Sequence, residues 1–336
     1  RVHHLLGRLL HEQNRSSEAI ESLRLSLEIS PDDSQVINDL ALVLQETGNL
    51  DESANCFQHL IDINPQDAQA WNNHGIVLKE MGHIERAISA FKKAARLDAG
   101  HVDSRANLGN AYKSCEKLAE AETAYREALR INPASLHLYP RLAAVLRRRN
   151  RLDQASEIFA QWLSHDPDNP IAAHLHATCT PENVPARAAP AYVREVFDEF
   201  AATFDQHLQE LDYQGPQLIG QALSACRLAE SAPVDILDAG CGSGLCAHLL
   251  RPLANSLVGV DLSTQMLDRA RQLELYDDLI EGDLVEVLRS RPSTFDLIVV
   301  TDTFGYFGDL EPAFSAVQHA LSPKGFLICT IELDQV

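Results

Sequence analysis

Proline recurs at Pro31, Pro65, Pro133 and Pro167, spaced by 34 residues or a multiple of it, with Ala99 in the remaining slot. A small residue keeps the same register at Gly7, Ala41, Gly75, Gly109 and Ala143, and a second does so at Ala19, Ser53, Ala87, Ala121 and Ala155. Large apolar residues repeat likewise, at Leu10, Leu44, Leu78, Tyr112 and Leu146 and at Leu23, Phe57, Phe91, Tyr125 and Phe159. This period restricts the fold severely. One such unit cannot bury its own apolar face, so the copies covering residues 1 to about 167 must stack on one another. The small positions let paired helices approach, and the large side chains fill the space between neighbours.

A period of 34 with this alternation resembles the tetratricopeptide repeat. The resemblance implies an all-α superhelix over residues 1–179, with about five repeats, the first lacking its opening residue, and a capping helix from Pro170 to Cys179. The first helix of each repeat lines a concave groove. Asn38, Asn72, Asn73, Asn107 and Asn110 fall on or near that face, with Gln35, Gln45 and Gln69 close by. Asp39, Asn73 and Asn107 share one register position, which resembles the asparagine ladder of O-GlcNAc-transferase repeats. Amides stacked around Asn73, Asn107 and Asn110 can hydrogen-bond the backbone of an extended protein or peptide partner without reading its sequence. The competing expectation is that they bond within the array. The basic residues of chaperone-tail-binding repeats are not reproduced at the matching positions.

Residues 180–190, from Thr180-Pro181 to Ala189-Pro190, read as a proline-rich, semi-stiff linker. Beyond it the organising stretch is Val234 to Leu245. A short apolar run, Val234 to Leu237, has the length of a buried parallel strand. Asp238 ends it, and glycines alternate at Gly240, Gly242 and Gly244 before a helix-compatible segment from Leu245 to Leu253. Glycine permits unusual backbone angles and close approach, and a helix start offers free N–H groups. A dinucleotide fingerprint would space its glycines G-x-G-x-x-G, which this loop does not. Three further strands also run into acids: Leu257–Val260 into Asp261, Leu279-Ile280 into Glu281 and Asp283, and Phe295–Val300 into Thr301-Asp302. A fifth strand follows over Gly325–Thr330. Ligands of open α/β sheets sit at the carboxyl edge of the strands.

Asp-x-Gly-x-Gly-x-Gly with these strand-end acids resembles the class I S-adenosylmethionine-dependent methyltransferases. The fold implied for residues 191–336 is an α/β, Rossmann-like, mostly parallel sheet with an N-terminal helical cap. The family normally continues into a sixth and seventh strand, and the sequence stops at Val336, so a sheet truncated after the fifth strand is expected. By the resemblance, Gly240, Gly242 and Gly244 contact the methionyl and ribose part of S-adenosylmethionine, and Asp238 orients its amino group. Asp261 with Leu262 takes the ribose hydroxyls, Asp283 with Leu284 the adenine, and Thr301, at the start of the loop where substrate meets the methyl group, also binds the cofactor. Asp302, Tyr306 and His207 are the candidates for steering or deprotonating the acceptor. The N/D-P-P-Tyr/Phe signature of enzymes that methylate amide or base nitrogen is absent. The words Phe197–Ala201, Phe204–Leu208 and Leu211–Pro216, joined to the repeats, resemble a bacterial family of tetratricopeptide-repeat methyltransferases. There the segment, read as helical from Ala191 to Asp205, caps the cofactor pocket, with Tyr192 and Phe204 as candidate walls.

Charge bears on the partner. Residues 181–336 hold 24 acids and 9 Lys+Arg within a chain of net charge −20. A half so acidic repels a phosphate backbone, so nucleic acid is not the expected substrate. The one basic run, Arg147-Arg148-Arg149 with Arg151, reads as a solvated helix end. Seven scattered cysteines without C-x-x-C argue against disulfides and zinc and for a reducing, cytoplasmic setting. No apolar run is long enough to span a membrane. The sequence thus predicts a methyltransferase whose repeats recruit or orient substrate. The alternatives are a nicotinamide dehydrogenase and an interaction scaffold whose methyltransferase fold turns over weakly or not at all.

Overall fold

The computed structural model describes residues 1–179, 187–226 and 233–331. It divides into two compact units, Arg1–Pro167 and Asp168–Val336.

The first unit is five antiparallel helix pairs: α1 (Val2–Glu12) with α2 (Ser16–Ile29), α3 (Ser34–Glu46) with α4 (Leu50–Ile63), α5 (Ala68–Glu80) with α6 (Ile84–Leu97), α7 (Val102–Ser114) with α8 (Leu118–Ile131), and α9 (Leu138–Arg148) with α10 (Leu152–His165). Asp33 and Asp67 cap α3 and α5 by accepting backbone N–H groups of Val36 and Ala70, at 3.4 and 3.0 Å. Each first helix ends on a residue in the left-handed region, and these too recur in register: Asn14, Gly48, Gly82, Glu116 and Asn150. The recurrent ring positions Phe57, Phe91 and Tyr125 are fully buried. Glycine stands opposite two of them, Gly75 against Phe91 and Gly109 against Tyr125. A Cβ built on Gly109 would lie 2.6 Å from the Tyr125 ring, which is also pinned by its hydroxyl donating to Asn110 Oδ1 at 2.7 Å. Gly109→Ala is therefore expected to cost about 1–3 kcal/mol by overpacking, read as a lower thermal midpoint of the array; an unchanged midpoint would mean that Tyr125 yields freely. The basic run is engaged internally. Arg149 and Arg151 converge with Arg126 on the buried Glu122, and Arg148 pairs with Glu116.

The second unit opens with four helices, α11 (Pro170–Ala177), α12 (Pro190–Phe200), α13 (Phe204–Glu210) and α14 (Gly215–Ala225). By contacts α11, expected to cap the repeats, groups with this unit, where His174 stacks on Tyr192 of α12 with ring centroids 4.0 Å apart. Most of the linker expected over residues 180–190 lies outside the described residues; Pro190 already begins α12. The helix expected from Ala191 to Asp205 breaks at Ala201–Thr203 and resumes as α13.

The sheet has five parallel strands in the order β3-β2-β1-β4-β5: β1 (Val234–Ala239), β2 (Ala254–Asp261), β3 (Asp278–Glu281), β4 (Phe295–Val300) and β5 (Leu321–Cys329). The crossovers carry α15 (Ala247–Leu250), α16 (Thr264–Gln272), α17 (Leu284–Arg289) and α18 (Glu311–Ala320). Strand residues such as Leu237, Ile298 and Val300 pack on α17 and α18 on one face, and Ile236, Leu257 and Leu297 pack on α14 and Leu250 on the other. Burial on both faces explains why these strands read as continuous apolar runs. The helix expected over Leu245–Leu253 is cut to one turn plus a 3₁₀ turn, Arg251–Leu253, because Pro252 has no N–H to continue it. No described helix is long and apolar enough to cross a membrane.

Candidate functional site

Strand order reverses between β1 and β4, and a cavity of ≈ 280 Å³ opens there at the carboxyl ends of the strands. Its floor is the loop after β1. Gly240 and Cys241 both donate backbone N–H to the Val260 carbonyl, at 2.8 and 2.9 Å, which folds the loop back onto β2. Gly240 has φ +74°, and a Cβ there would stand 2.0 Å from Thr303 Oγ1. Gly242 donates its N–H to Asp261 Oδ2 at 2.9 Å, while Asp261 Oδ1 accepts from Ser263 N at 2.9 Å. The carboxylate at the tip of β2 thus clamps the glycine loop to the start of α16. Burial pushes Asp261 above the usual carboxylate range, against the backbone donors that favour its ionised form.

Asp238, 2% exposed, accepts a hydrogen bond from Tyr276 Oη at 2.7 Å. Burial raises its carboxyl to about 6, opposed by Tyr276 and aided by the nearby Asp261 charge. It lines the cavity, and no described Lys, Arg or His pairs with it. Asp283 differs. Burial would raise it, but the Arg187 guanidinium and the N–H groups of Glu286 and Val285, which it caps at the start of α17, hold it below the usual range. Cys241 and Cys246 are pushed up by burial and by neighbouring carboxylates, Cys246 to about 12, so neither is a poised nucleophile.

After β4 the chain passes Thr301, whose Oγ1 lies 3.5 Å from Cys246 Sγ, to Asp302 at φ +51°. Thr330, just past β5, holds that conformation: its Oγ1 accepts Asp302 N–H at 2.7 Å and donates to Asp302 Oδ1. Tyr213 reaches Asp302 from the turn before α14. Burial, then the Asp302 hydrogen bond and charge, lift its hydroxyl above the ordinary tyrosine range.

The helices before the sheet roof the cavity. Arg187 pairs with Asp283 and lies 4.8 Å over the Phe307 ring, and Ala188 N–H donates to the Tyr306 carbonyl at 2.9 Å. Asp198 on α12 accepts from Ser263 Oγ, and Asp205 on α13 accepts from Ser243 Oγ at 2.6 Å and pairs with Arg269. Roof and floor are therefore tied at the loops after β1, β2, β3 and β4.

Of the residues named from sequence, Asp238, Gly240, Gly242, Asp261, Leu262, Asp283, Leu284, Thr301, Asp302 and Tyr306 all line this cavity. Two do not. Gly244 (φ +88°) turns away, and a Cβ on it would meet Leu273 at 2.7 Å, so it serves loop packing. His207 is exposed; its ring lies against Phe200 and its Nδ1 sits 3.0 Å from the Thr203 carbonyl. One helical turn carries Phe204 and Leu208 to the cavity and leaves His207 off it. Tyr192 is also not a wall, being stacked on His174. Arg187 was missed, because it meets Asp283 only through long-range folding, across 96 positions; Leu208 and Tyr213 lay in the words read as a cap but were given no role of their own.

On the repeat array, the amides bond chiefly to one another. Asn107 Nδ2 donates to Asn72 Oδ1 at 3.1 Å, and Gln69 Nε2 donates to Asn73 Oδ1 at 2.8 Å. Asn110 receives Tyr125. The half-buried Asn73 and Asn107 keep unused capacity, and a hollow of ≈ 430 Å³ opens beside Asn38, Asp39 and Gln69.

Comparison with known proteins matches both parts of the chain to families. Residues 237–329 match a family model described as a methyltransferase domain. Residues 2–73 and 116–179 match one tetratricopeptide-repeat model and 72–136 another. The 18S rRNA (guanine-N(7))-methyltransferase of Bos taurus is 36% identical over 83 residues, 25% of this chain and 30% of that protein. The malonyl-[acyl-carrier protein] O-methyltransferase of Pseudescherichia vulneris is 28% identical over 138 residues, covering 41% and 52%. Methyltransferase-like protein 27 of Homo sapiens is 34% identical over 137 residues, covering 40% and 54%. The chain spans about a third to a half of the length of these curated relatives. Among solved structures, MamA aligns over 48% of this chain and 94% of its own, at 19% identity and a TM-score of 0.45. The cavity also fits the cofactor chemically, since the buried Asp238 has no Lys, Arg or His beside it among the described residues and so suits a cation, and a Cβ on Gly242 would meet open space, which leaves that part of the loop backbone uncovered. The chain carries a tetratricopeptide-repeat array and a class I methyltransferase domain whose cofactor is S-adenosylmethionine.

Proposed function

We propose that this chain transfers the methyl group of S-adenosylmethionine to a protein or peptide that its repeats recruit. The observation that carries the reading is Asp238: a carboxylate 2% exposed, facing a cavity, with a tyrosine and no cation to meet it. Such a group is costly until a positive ligand arrives. The cofactor supplies an electrophilic methyl on sulfonium. The chain's own residues supply position, which needs no covalent intermediate. In this assignment Asp238 orients the amino group, Gly240 and Gly242 receive the methionyl and ribose part, Asp261 and Leu262 hold the ribose, and Asp283 and Leu284 hold the adenine. Asp302 and Tyr306 face the acceptor.

The relatives act on rRNA and on an acyl-carrier protein by name. For this chain the surplus of acids around the cavity favours a protein over a nucleic acid. Calorimetric titration of the whole chain with S-adenosylhomocysteine should show one-to-one binding, and tritiated-methyl labelling of a lysate should mark a protein band. Absence of heat would overturn the reading. Binding without labelling of any component would favour the scaffold reading.

A further inference from the structure

The acceptor-side residues say more about what is methylated. We propose, resting on the methyl-transfer reading above, that the acceptor is a primary alkyl amine, the chemistry of a lysine side chain, selected by Asp302 and seated along the apolar roof.

The first argument is construction. Asp302 sits at the exposed mouth of the cavity in a backbone conformation that aspartate adopts rarely, φ +51°. Thr330 fixes it from the end of β5, and Tyr213 faces the same cavity from the roof. A carboxylate has about four acceptor positions. The Thr330 hydroxyl occupies one of them, which leaves room for the N–H groups of an ammonium.

The second argument is charge. Four carboxylates line the cavity, and Arg187 is the one Lys or Arg among the described lining residues. Arg187 is already committed to Asp283 and to the Phe307 ring. The bound cofactor adds a net single positive charge and leaves the site negative. A carboxylate or phosphate acceptor would enter beside Asp302 with no free cation to meet it, whereas an ammonium is attracted. At longer range, the acid surplus of residues 181–336 draws a basic chain toward this half.

The third argument is shape. Phe204, Leu208, Tyr213 and Pro216 give the roof side an apolar wall that suits a lysine stem, with aromatic faces that favour the cation at its end. For transfer, the ammonium gives one proton through Asp302 to bulk water. The freed nitrogen lone pair then forms the N–C bond as the S–C bond breaks, and that bond's electron pair stays on sulfur. The products are S-adenosylhomocysteine and a methylammonium.

The test uses the whole chain saturated with S-adenosylhomocysteine and titrated calorimetrically with Nα-acetyl-lysine amide, Nα-acetyl-norleucine amide and Nα-acetyl-glutamate amide. The lysine probe should bind at least about tenfold tighter than either other. Asp302→Asn should shrink that ratio to about threefold or less, and Tyr213→Phe should give an intermediate ratio. Each variant is first shown to be folded by its uptake of S-adenosylhomocysteine. Equal binding of the three probes, tighter binding of the acidic one, or no binding of the lysine probe to the loaded protein would each overturn the amine assignment and leave the methyl-transfer reading standing. Failure of S-adenosylhomocysteine itself to bind would overturn both.

Discussion

Gly240→Ala should weaken S-adenosylhomocysteine binding by about 100-fold or more, roughly 2.7 kcal/mol, while the sheet stays folded. Two effects add. At φ +74° the new residue carries the left-handed penalty of about 1–2 kcal/mol. Its Cβ also lands 2.0 Å from Thr303 Oγ1 and 2.8 Å from Thr303 Cγ2, so Thr303 or the loop must move. Thr303 Oγ1 is itself 3.1 Å from the Thr301 carbonyl, which links the displacement to the acceptor loop. The contact accounts for the larger part if Thr303→Ala, made on top of Gly240→Ala, recovers some of the affinity. Gly242→Ala separates the terms, since a Cβ there meets no protein atom within 4 Å: beyond the φ cost at +52°, any loss of affinity reports on a ligand resting over Gly242. Near-normal calorimetry for Gly240→Ala would mean that the ligand does not rest on this loop.

Cofactor affinity should also depend on acidity through Asp238. Its carboxyl is raised from the ordinary aspartate range to about 6, chiefly by burial. A raised acid makes its stabilising contribution fully below its unfolded pKa and loses it as pH rises through the folded one. The free domain is therefore penalised above pH 6, by up to about 3 kcal/mol for a shift of this size. A cationic ligand reverses the preference by favouring the ionised carboxylate. Affinity for S-adenosylhomocysteine should be flat above pH 7 and fall toward tenfold per unit below about 6. Asp238→Asn should flatten that profile, weaken binding at pH 8, and raise the thermal midpoint of the ligand-free protein at the same pH. A variant that lowers the midpoint at pH 8 would show that the Tyr276 hydrogen bond outweighs the cost of the buried charge.

What could be read from sequence follows the range of the interactions. The repeat was legible because 34-residue periodicity is local and repeated, and the strands because double-sided burial leaves unbroken apolar runs. The cavity floor was legible because glycines and strand-end acids lie next to the strands that place them. Gly244 satisfies the motif spacing yet falls outside the cavity lining, where its missing side chain makes room for Leu273. His207 falls outside the cavity lining because helical phase, which decides between it and Leu208, depends on where α13 begins after the break at Ala201–Thr203. The amides of the repeats were legible as a register and not as a bonding pattern, since Asn107 meets Asn72 only when two repeats stack. Arg187, Tyr213 and Thr330 carry no local signature. Each gains its role from a partner brought close by the completed fold.

The family match begins at residue 237, yet Arg187, Phe197, Phe204, Leu208, Tyr213 and Pro216 all belong to the segment before it. The part of the domain that the family model covers is thus an open dish, and its roof is built from the stretch of chain just before it. Swapping residues 187–226 between relatives should redirect what is modified while leaving the currency of the reaction alone.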